Sequence, residues 1–226
     1  MKSTAVKSYA LDLDWSAQTM LPIELEGEEL QLEARAYQGS DPRNQAFVLI
    51  NRTNQAAGHL PLVRVHSGCV TGDIFHSLKC DCYPQLQASL KKIVNSPLGI
   101  LIYLPYHEGR GIGLVAKIKA YALQDQGYDT VDANVAVGAP IEAREYDLAA
   151  HILFDLGYPE IKLLSNNPAK SDALRAEGIR VVEQVPVITK PNVHNVRYLE
   201  TKRARMSHRL PSQISALAPA VAQPAE

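Results

Sequence analysis

The run Gly99-Ile100-Leu101-Ile102-Tyr103-Leu104 constrains the fold more than any other segment. A short, continuous apolar stretch reads as a strand covered on both faces, the condition of a strand inside a helix-flanked sheet. A glycine-rich turn, Glu108-Gly109-Arg110-Gly111-Ile112-Gly113, follows. After it comes a helical pattern with Leu114, Ile118, Tyr121 and Ala122 on one face, ending near Gly127. Asp147 to Leu156 predicts a further helix, with Leu148, Ile152 and Leu156 aligned and Gly157 as its stop. Ile161 to Leu164 predicts a short strand. Ser165-Asn166-Asn167-Pro168 reads as a helix start, because Asn caps and Pro suits the first turn. That helix stops at Gly178, before a strand over Ile179 to Val182. Strand and helix therefore alternate from 99 to 185, which predicts an α/β unit.

The N-terminal half has a different period. Ile23 and Leu25 alternate with Glu24 and Glu26, and Leu30, Leu32, Ala34 and Ala36 alternate with polar residues. Gly27 between the runs predicts a hairpin. Phe47 to Asn51 and Leu60 to Val65 predict further strands, and Leu86, Leu90 and Ile93 have helical spacing. The expected fold class is α/β (mixed α+β), antiparallel strands followed by alternating strand–helix units. Residues 1–20 show no period and read as an arm. Residues 201–209 form a basic patch, and 211–226, rich in Ala, Pro and Ser, read as a disordered tail.

Charge narrows the partners. The 23 Lys+Arg nearly cancel the 24 Asp+Glu, for a formal net charge of -1. That argues against DNA or RNA held by bulk charge, so any phosphate site must be local. No apolar run approaches the ~20 residues of a membrane span, and Asp12 and Asp14 interrupt any signal-peptide core. The expectation is a cytoplasmic protein without a membrane partner.

All three cysteines, Cys69, Cys80 and Cys82, fall within one stretch, 69–82, which points to metal rather than disulfides. Three thiolates suit zinc and leave a fourth position for water, as a catalytic site requires. His66 or His76 could instead close a structural site, and three small buried residues that bind nothing are the plain alternative. The Glu108–Gly113 loop permits close backbone approach to an anion at a helix start, although a tight connection explains its glycines equally well. Within it, Glu108 could accept hydrogen bonds from an amino-substituted ring and Arg110 could grip phosphate. Ser165 to Lys170 offers a hydroxyl, two amides and an ammonium at a helix start, and a simple cap accounts for all of them except Lys170.

Several of these segments, in order, resemble the GTP cyclohydrolase II family: Arg64 to Asp73, Lys79 to Cys82, Glu108 to Leu114, Lys117 to Thr130, and Leu163 to Pro168. The resemblance runs from about 21 to 210, which would make that span the catalytic domain. It implies opening of the imidazole ring of GTP at C8 with loss of formate, release of pyrophosphate, and a pyrimidine product that enters riboflavin biosynthesis. It implies one zinc ion (Zn2+) per chain on Cys69, Cys80 and Cys82, activating water for attack at C8. It implies GTP contacts from Arg64, Gly68, Gln85, Glu108, Gly109, Arg110, Thr130, Ser165 and Lys170. Tyr121 would lie near the reacting ring and Glu142 would accept a proton. Arg144 would act at the α-phosphorus, as nucleophile or, since a guanidinium with pKa above ~12 attacks poorly, by stabilising charge. Magnesium (Mg2+) on the triphosphate and a homodimer are also implied.

The chain departs from the family pattern around the base. His66-Ser67-Gly68-Cys69 stands for the usual His-Ser-Glu-Cys, so a carboxylate beside the metal is missing. Tyr106-His107-Glu108-Gly109-Arg110 stands for Arg-Gln-Glu-Gly-Arg, and Glu142-Ala143 for Asp-Glu. Besides GTP hydrolysis, two readings follow: ring opening of another nucleotide outside riboflavin synthesis, and a zinc- and nucleotide-binding module without turnover.

Overall fold

The computed structural model describes residues 14–39, 41, 43–53, 55–212 and 214. It is mixed α/β, as the sequence predicts, with one seven-stranded sheet in the order β1-β2-β3-β5-β4-β6-β7. Strands β1 (Asp14–Leu25), β2 (Glu28–Gln38), β3 (Gln45–Arg52) and β5 (Leu98–Leu104) form an antiparallel half. Strands β4 (Leu62–Ser67), β6 (Glu160–Leu164) and β7 (Arg180–Val185) join β5 as a parallel half. The β1–β2 hairpin turns at Glu26 (φ 54°) and Gly27 (φ 86°). Both central residues lie at positive φ, the type I′ geometry that matches strand twist.

β1 begins at Asp14, well before the period starts at Leu21. It is an edge strand that pairs only with β2, and Gln18, Thr19 and Met20 are exposed. Over Gln18 to Met20, backbone pairing without burial leaves no alternation to read; the expected arm over 1–20 is strand from Asp14 onward, and 1–13 lie outside the described residues. Most of the expected tail, 215–226, also lies outside them.

Side-chain alternation splits the core into two layers. Val48, Ile50, Ile100, Ile102, Val63 and Val65 pack against α4 (Asp147–Asp155) and α5 (Pro168–Ala176). Leu32, Ala34, Leu49, Leu101 and Leu164 face the other way, onto Ile93 of α1 (Cys82–Val94). β5 contributes to both layers, which is why its sequence is apolar without alternation. Each fully buried Ile or Leu contributes about 1.5–3 kcal/mol. Asn51 ties α1 to the sheet by donating to the carbonyls of Ile93, Val94 and Ser96 at 2.9–3.1 Å, which satisfies the helix C-terminus.

Helices α2 (Leu114–Asp125), α3 (Thr130–Ala136) and α6 (Val196–Arg205) lie at the carboxyl ends of the parallel strands. The first follows the sequence pattern in length; the other two have no signal in it. α2 inverts its expected face. Leu114, Val115 and Ile118 are exposed, whereas Lys117 and Ala120 are buried. The cause is in the site below, where the Lys117 ammonium finds three partners. No helix among the described residues is long and apolar enough to cross a membrane.

Candidate active site

β4 stands between β5 and β6, and the chain crosses over it to reach β6. In open α/β sheets, ligands bind outside the carboxyl ends of strands at such a reversal. Here the segments after β4 (Ser67 to Cys69), after β5 (Pro105 to Arg110) and after β6 (Ser165 to Lys170) meet at that place.

The metal-ligand candidates come together. The sulfurs of Cys69, Cys80 and Cys82 lie within 4.8 Å of one another, and Cys69 and Cys80 are 3.9 Å apart. A zinc ion with ~2.3 Å bonds and tetrahedral angles needs its sulfurs about 3.8 Å apart, so the cluster fits such an ion. A single π-helical turn, Val70–Ile74, folds the loop over the thiols, with Gly72 N–H donating to Cys69 Sγ at 3.3 Å. A Cβ on Gly72 would lie 2.9 Å from Cys80 Sγ and 3.1 Å from Cys69 Sγ, so only glycine fits. Asp73 fixes the same loop. It accepts from Cys69 N–H at 2.9 Å and Tyr103 OH at 3.1 Å, and it lies 3.2 Å from His66 Nε2. His66 is therefore committed to Asp73, and His76 stacks on Tyr83 at 3.8 Å. Among the described residues neither these histidines nor any other His, Cys, Asp or Glu joins the three thiols as a fourth candidate ligand.

Lys117 Nζ sits 3.0 Å from Cys69 Sγ, 2.8 Å from Thr71 Oγ1 and 2.6 Å from Glu108 Oε1. Burial opposes its charge, but Tyr121, Glu108 and Cys69 outweigh burial and hold it above the ordinary lysine range. Hydrogen bonds from Cys80 and Cys82, with Lys117 adding to them, hold the Cys69 thiol far below its usual value, while Cys69 pushes Cys80 up to about 12. The cluster thus already favours a thiolate at Cys69. Glu108, which lines the cleft, is engaged within the protein. Its oxygens are taken by Val70 N–H at 2.6 Å, Gly109 N–H at 3.1 Å and Lys117. The carboxylate welds the metal loop to the glycine loop.

A cleft of about 570 Å³ opens over the thiols, lined also by Gly68, Glu108, Gly109, Arg110, Tyr121, Thr130 and Arg144. Arg110 donates to Thr130 Oγ1 at 2.8 Å. Burial keeps the Tyr121 phenol protonated, well above its ordinary range. At Gly68 an added Cβ would lie 2.8 Å from Pro105 Cα and 3.0 Å from Leu104 O. The backbone after β5 occupies the room a glutamate would need, so the missing carboxylate is built into the local packing.

A second cavity, of about 490 Å³, shares Ser67, Cys82 and Arg144 with the first and is lined by Arg64, Gln85, Ser165 and Lys170. Arg64 donates to Gln85 Oε1 at 2.7 Å and to Leu164 O at 3.1 Å, and its buried Nε has no protein partner. Lys170 is 4% exposed and donates to Val65 O at 2.6 Å. Burial, then Arg64 and Arg144, depress its pKa well below normal. Such a concentration of buried cations needs an anion to complete it.

Arg144 stands where the cavities meet. It donates to Ser67 Oγ at 3.4 Å and from Nε to Glu142 Oε1 at 2.7 Å, with a second bond to Glu142 Oε2. Burial raises the Glu142 carboxyl, but Arg144 more than offsets this and keeps it below the usual range. Glu142 lines neither cavity. It orients the guanidinium as a bidentate partner. His107, where the family pattern has Gln, is buried with Nδ1 3.3 Å from Ser67 Oγ. Burial, then Arg144 and Lys170, push it down to about 3, so it is neutral.

A thiol triad that could hold a metal ion, joined by one arginine to a cation-lined cavity, fits an enzyme acting on a phosphorylated substrate. The profile of the family described as GTP cyclohydrolase II matches residues 16–186, and the chain belongs to that family. It is 52% identical to GTP cyclohydrolase-2 of Streptomyces coelicolor over 157 residues, 70% of this chain and 71% of that protein. It is 52% identical to the riboflavin biosynthesis protein RibBA of Mycobacteroides abscessus over 153 residues, covering 68% of this chain and 37% of the relative. With RibBA of Mycolicibacterium gilvum it shares 53% identity over 153 residues, 36% of that protein. The chain therefore spans most of the first relative and little more than a third of the RibBA proteins.

Lys170 generates a prediction. A polyphosphate in the second cavity restores its charge, so binding takes up a proton and affinity falls as pH rises above the depressed pKa of the free protein. Calorimetry of a non-hydrolysable GTP analogue in buffers of different ionisation enthalpy should show uptake that disappears in Lys170→Met. Equal uptake in both proteins would remove Lys170 from the anion site.

Proposed function

We propose that this chain hydrolyses GTP, opening the imidazole ring with release of formate and cleaving off pyrophosphate, as the entry reaction of riboflavin biosynthesis. The observation that carries this reading is the junction at Arg144 between the thiol cluster and the cation-lined cavity. One nucleotide can span both, with its base over the thiols and its triphosphate on Arg64, Ser165 and Lys170. Cys69, Cys80 and Cys82 would hold a zinc ion whose Lewis acidity activates water for the ring hydrolysis. Lys117 adds to the hydrogen bonds that lower the Cys69 thiol and positions Glu108. Tyr121 presents a protonated phenol to the cleft. Arg144, braced by Glu142, offers a rigid planar fork to the α-phosphate and stabilises the charge that grows there. Magnesium on the triphosphate supplements the cations of the second cavity. Free cysteines suit the cytoplasm.

A second reading, ring opening of a different purine nucleotide, draws support from the Gly68–Pro105 approach and from His107, both local to the cleft. Formate release from GTP, compared with that from other purine nucleotides, separates the two.

The exposed face of α2 supports the homodimer. Leu114, Val115 and Ile118, with Ile74 (63% exposed) and Phe75 (76% exposed) on the turn that Lys117 contacts, leave large apolar side chains in water that a second copy could cover. Phe75→Glu should shift sedimentation toward monomer; an unchanged dimer would place the interface elsewhere, and a monomeric wild type would exclude a dimer.

The two half-reactions should separate. Cys80→Ser should stop formate release and spare part of the pyrophosphate release. Arg144→Lys keeps charge but loses the fork, and should cut pyrophosphate release by roughly ten-fold or more. Equal loss of both products in both folded variants would contradict this division of labour.

A further inference from the structure

The family match ends at residue 186, yet the chain continues through α6 and returns to the site at four points. Just before the helix, Asn195 Nδ2 donates to the Cys80 carbonyl at 3.3 Å. Two turns into it, Lys202 Nζ lies 3.2 Å from Asp81 Oδ1. These side chains are 11% and 3% exposed, so the pair is buried. After the helix, Ser207 takes a left-handed conformation (φ 54°) and turns the chain back. His208 then lines the second cavity, and Arg209 N–H donates to Asn166 O at 2.8 Å. Tyr198, on the inner side of the helix, lines the cleft over the thiols.

Asp81 is the residue between two of the thiols. Its Oδ2 accepts from Gln85 Nε2 at 2.5 Å, and Gln85 Oε1 accepts from Arg64 at 2.7 Å. A continuous line of charged and hydrogen-bonded groups therefore runs Lys202–Asp81–Gln85–Arg64, from the C-terminal helix to the wall of the anion cavity. Without Lys202, a buried carboxylate beside thiolates would have no cation of its own. The loop would relieve that repulsion by moving, and both Cys80 and Gln85 would move with it.

We propose that Lys202 and Asn195 are positioning residues: the C-terminal helix clamps the Cys80-Asp81-Cys82 loop in its ligating geometry and, through Gln85, holds Arg64 in its anion-binding geometry. The metal half of this rests on the reading of the thiols as a zinc site; the anion half does not. Neither residue touches substrate. Both act through the loop, as outer-shell partners of a metal site do.

The test uses the full chain with three variants. Lys202→Met removes the cation and keeps the length. Lys202→Met combined with Asp81→Asn removes the buried charge as well. Arg205→Met breaks the exposed pairs of the same helix with Asp129 and Asp132, and controls for general docking. The readouts are the rate of zinc loss to a chromogenic chelator and the dissociation constant of a non-hydrolysable GTP analogue. Lys202→Met should speed zinc loss and weaken analogue binding, each by about 10–100-fold. The double variant should recover much of both losses, and Arg205→Met should resemble wild type. Wild-type zinc retention and analogue affinity in Lys202→Met would overturn the clamp. So would equal damage from Arg205→Met, because docking of the helix alone would then suffice. If Lys202→Met does not fold, Asn195→Ala, which removes the bond to the Cys80 carbonyl together with a local one from Asn192 N–H, decides the zinc arm by the same criterion. A wild type that binds no zinc would defeat the metal reading, and the analogue arm would still decide the clamp.

Discussion

Lys117 Nζ lies within 3.0 Å of a thiol and a hydroxyl of the metal loop and a carboxylate of the glycine loop, and the shape of the whole site depends on that contact. Burying an ammonium costs several kcal/mol unless it is paired and hydrogen-bonded. Here the pairing is complete. To make it, α2 turns Lys117 inward and leaves Leu114, Val115 and Ile118 in solvent. The same contact commits Glu108, which also accepts from Val70 N–H and so locks the glycine loop to the metal loop. It also lowers the cost of a thiolate at Cys69.

The sheet explains why those segments can meet at all. Only the parallel half of the sheet points its strand ends at one place, and β4, β5 and β6 are adjacent there. The antiparallel half, β1 to β3, extends the sheet and both core layers without contributing to the site. The reversal at β4 leaves a crevice long enough for two joined cavities. One carries the three thiols, the other the buried cations Arg64 and Lys170, and Arg144 lies at their boundary.

Features set by local sequence were legible before the structure. The clustered cysteines, the doubly covered β5, the Asn167 cap and the strand–helix alternation each depend on near neighbours or on periodicity. Features set by distant partners were not. Glu108 and Glu142 looked like free carboxylates and are both bound by cations. α2 looked like an ordinary amphipathic helix until Lys117 found Cys69. α6 looked like a basic patch, because it docks by ion pairs rather than by an apolar stripe, burying only Leu199 and Thr201. α3 is short and starts from a cap, Asp129, that accepts from Val131 and Asp132 N–H, a signal readable only once the surrounding loop is placed. The glycine at position 68 looked like a lost carboxylate, and its reason is steric, the approach of Pro105.

The central claim is that the thiol cluster holds the ion that opens the ring. The direct measurement is formate release from GTP by wild-type protein as purified, after removal of metal by a chelator, and after return of one equivalent of zinc per chain. The account predicts that formate release disappears with the metal and returns with zinc. Formate release that persists in protein shown to be free of metal, or that never occurs with the site filled, would contradict it.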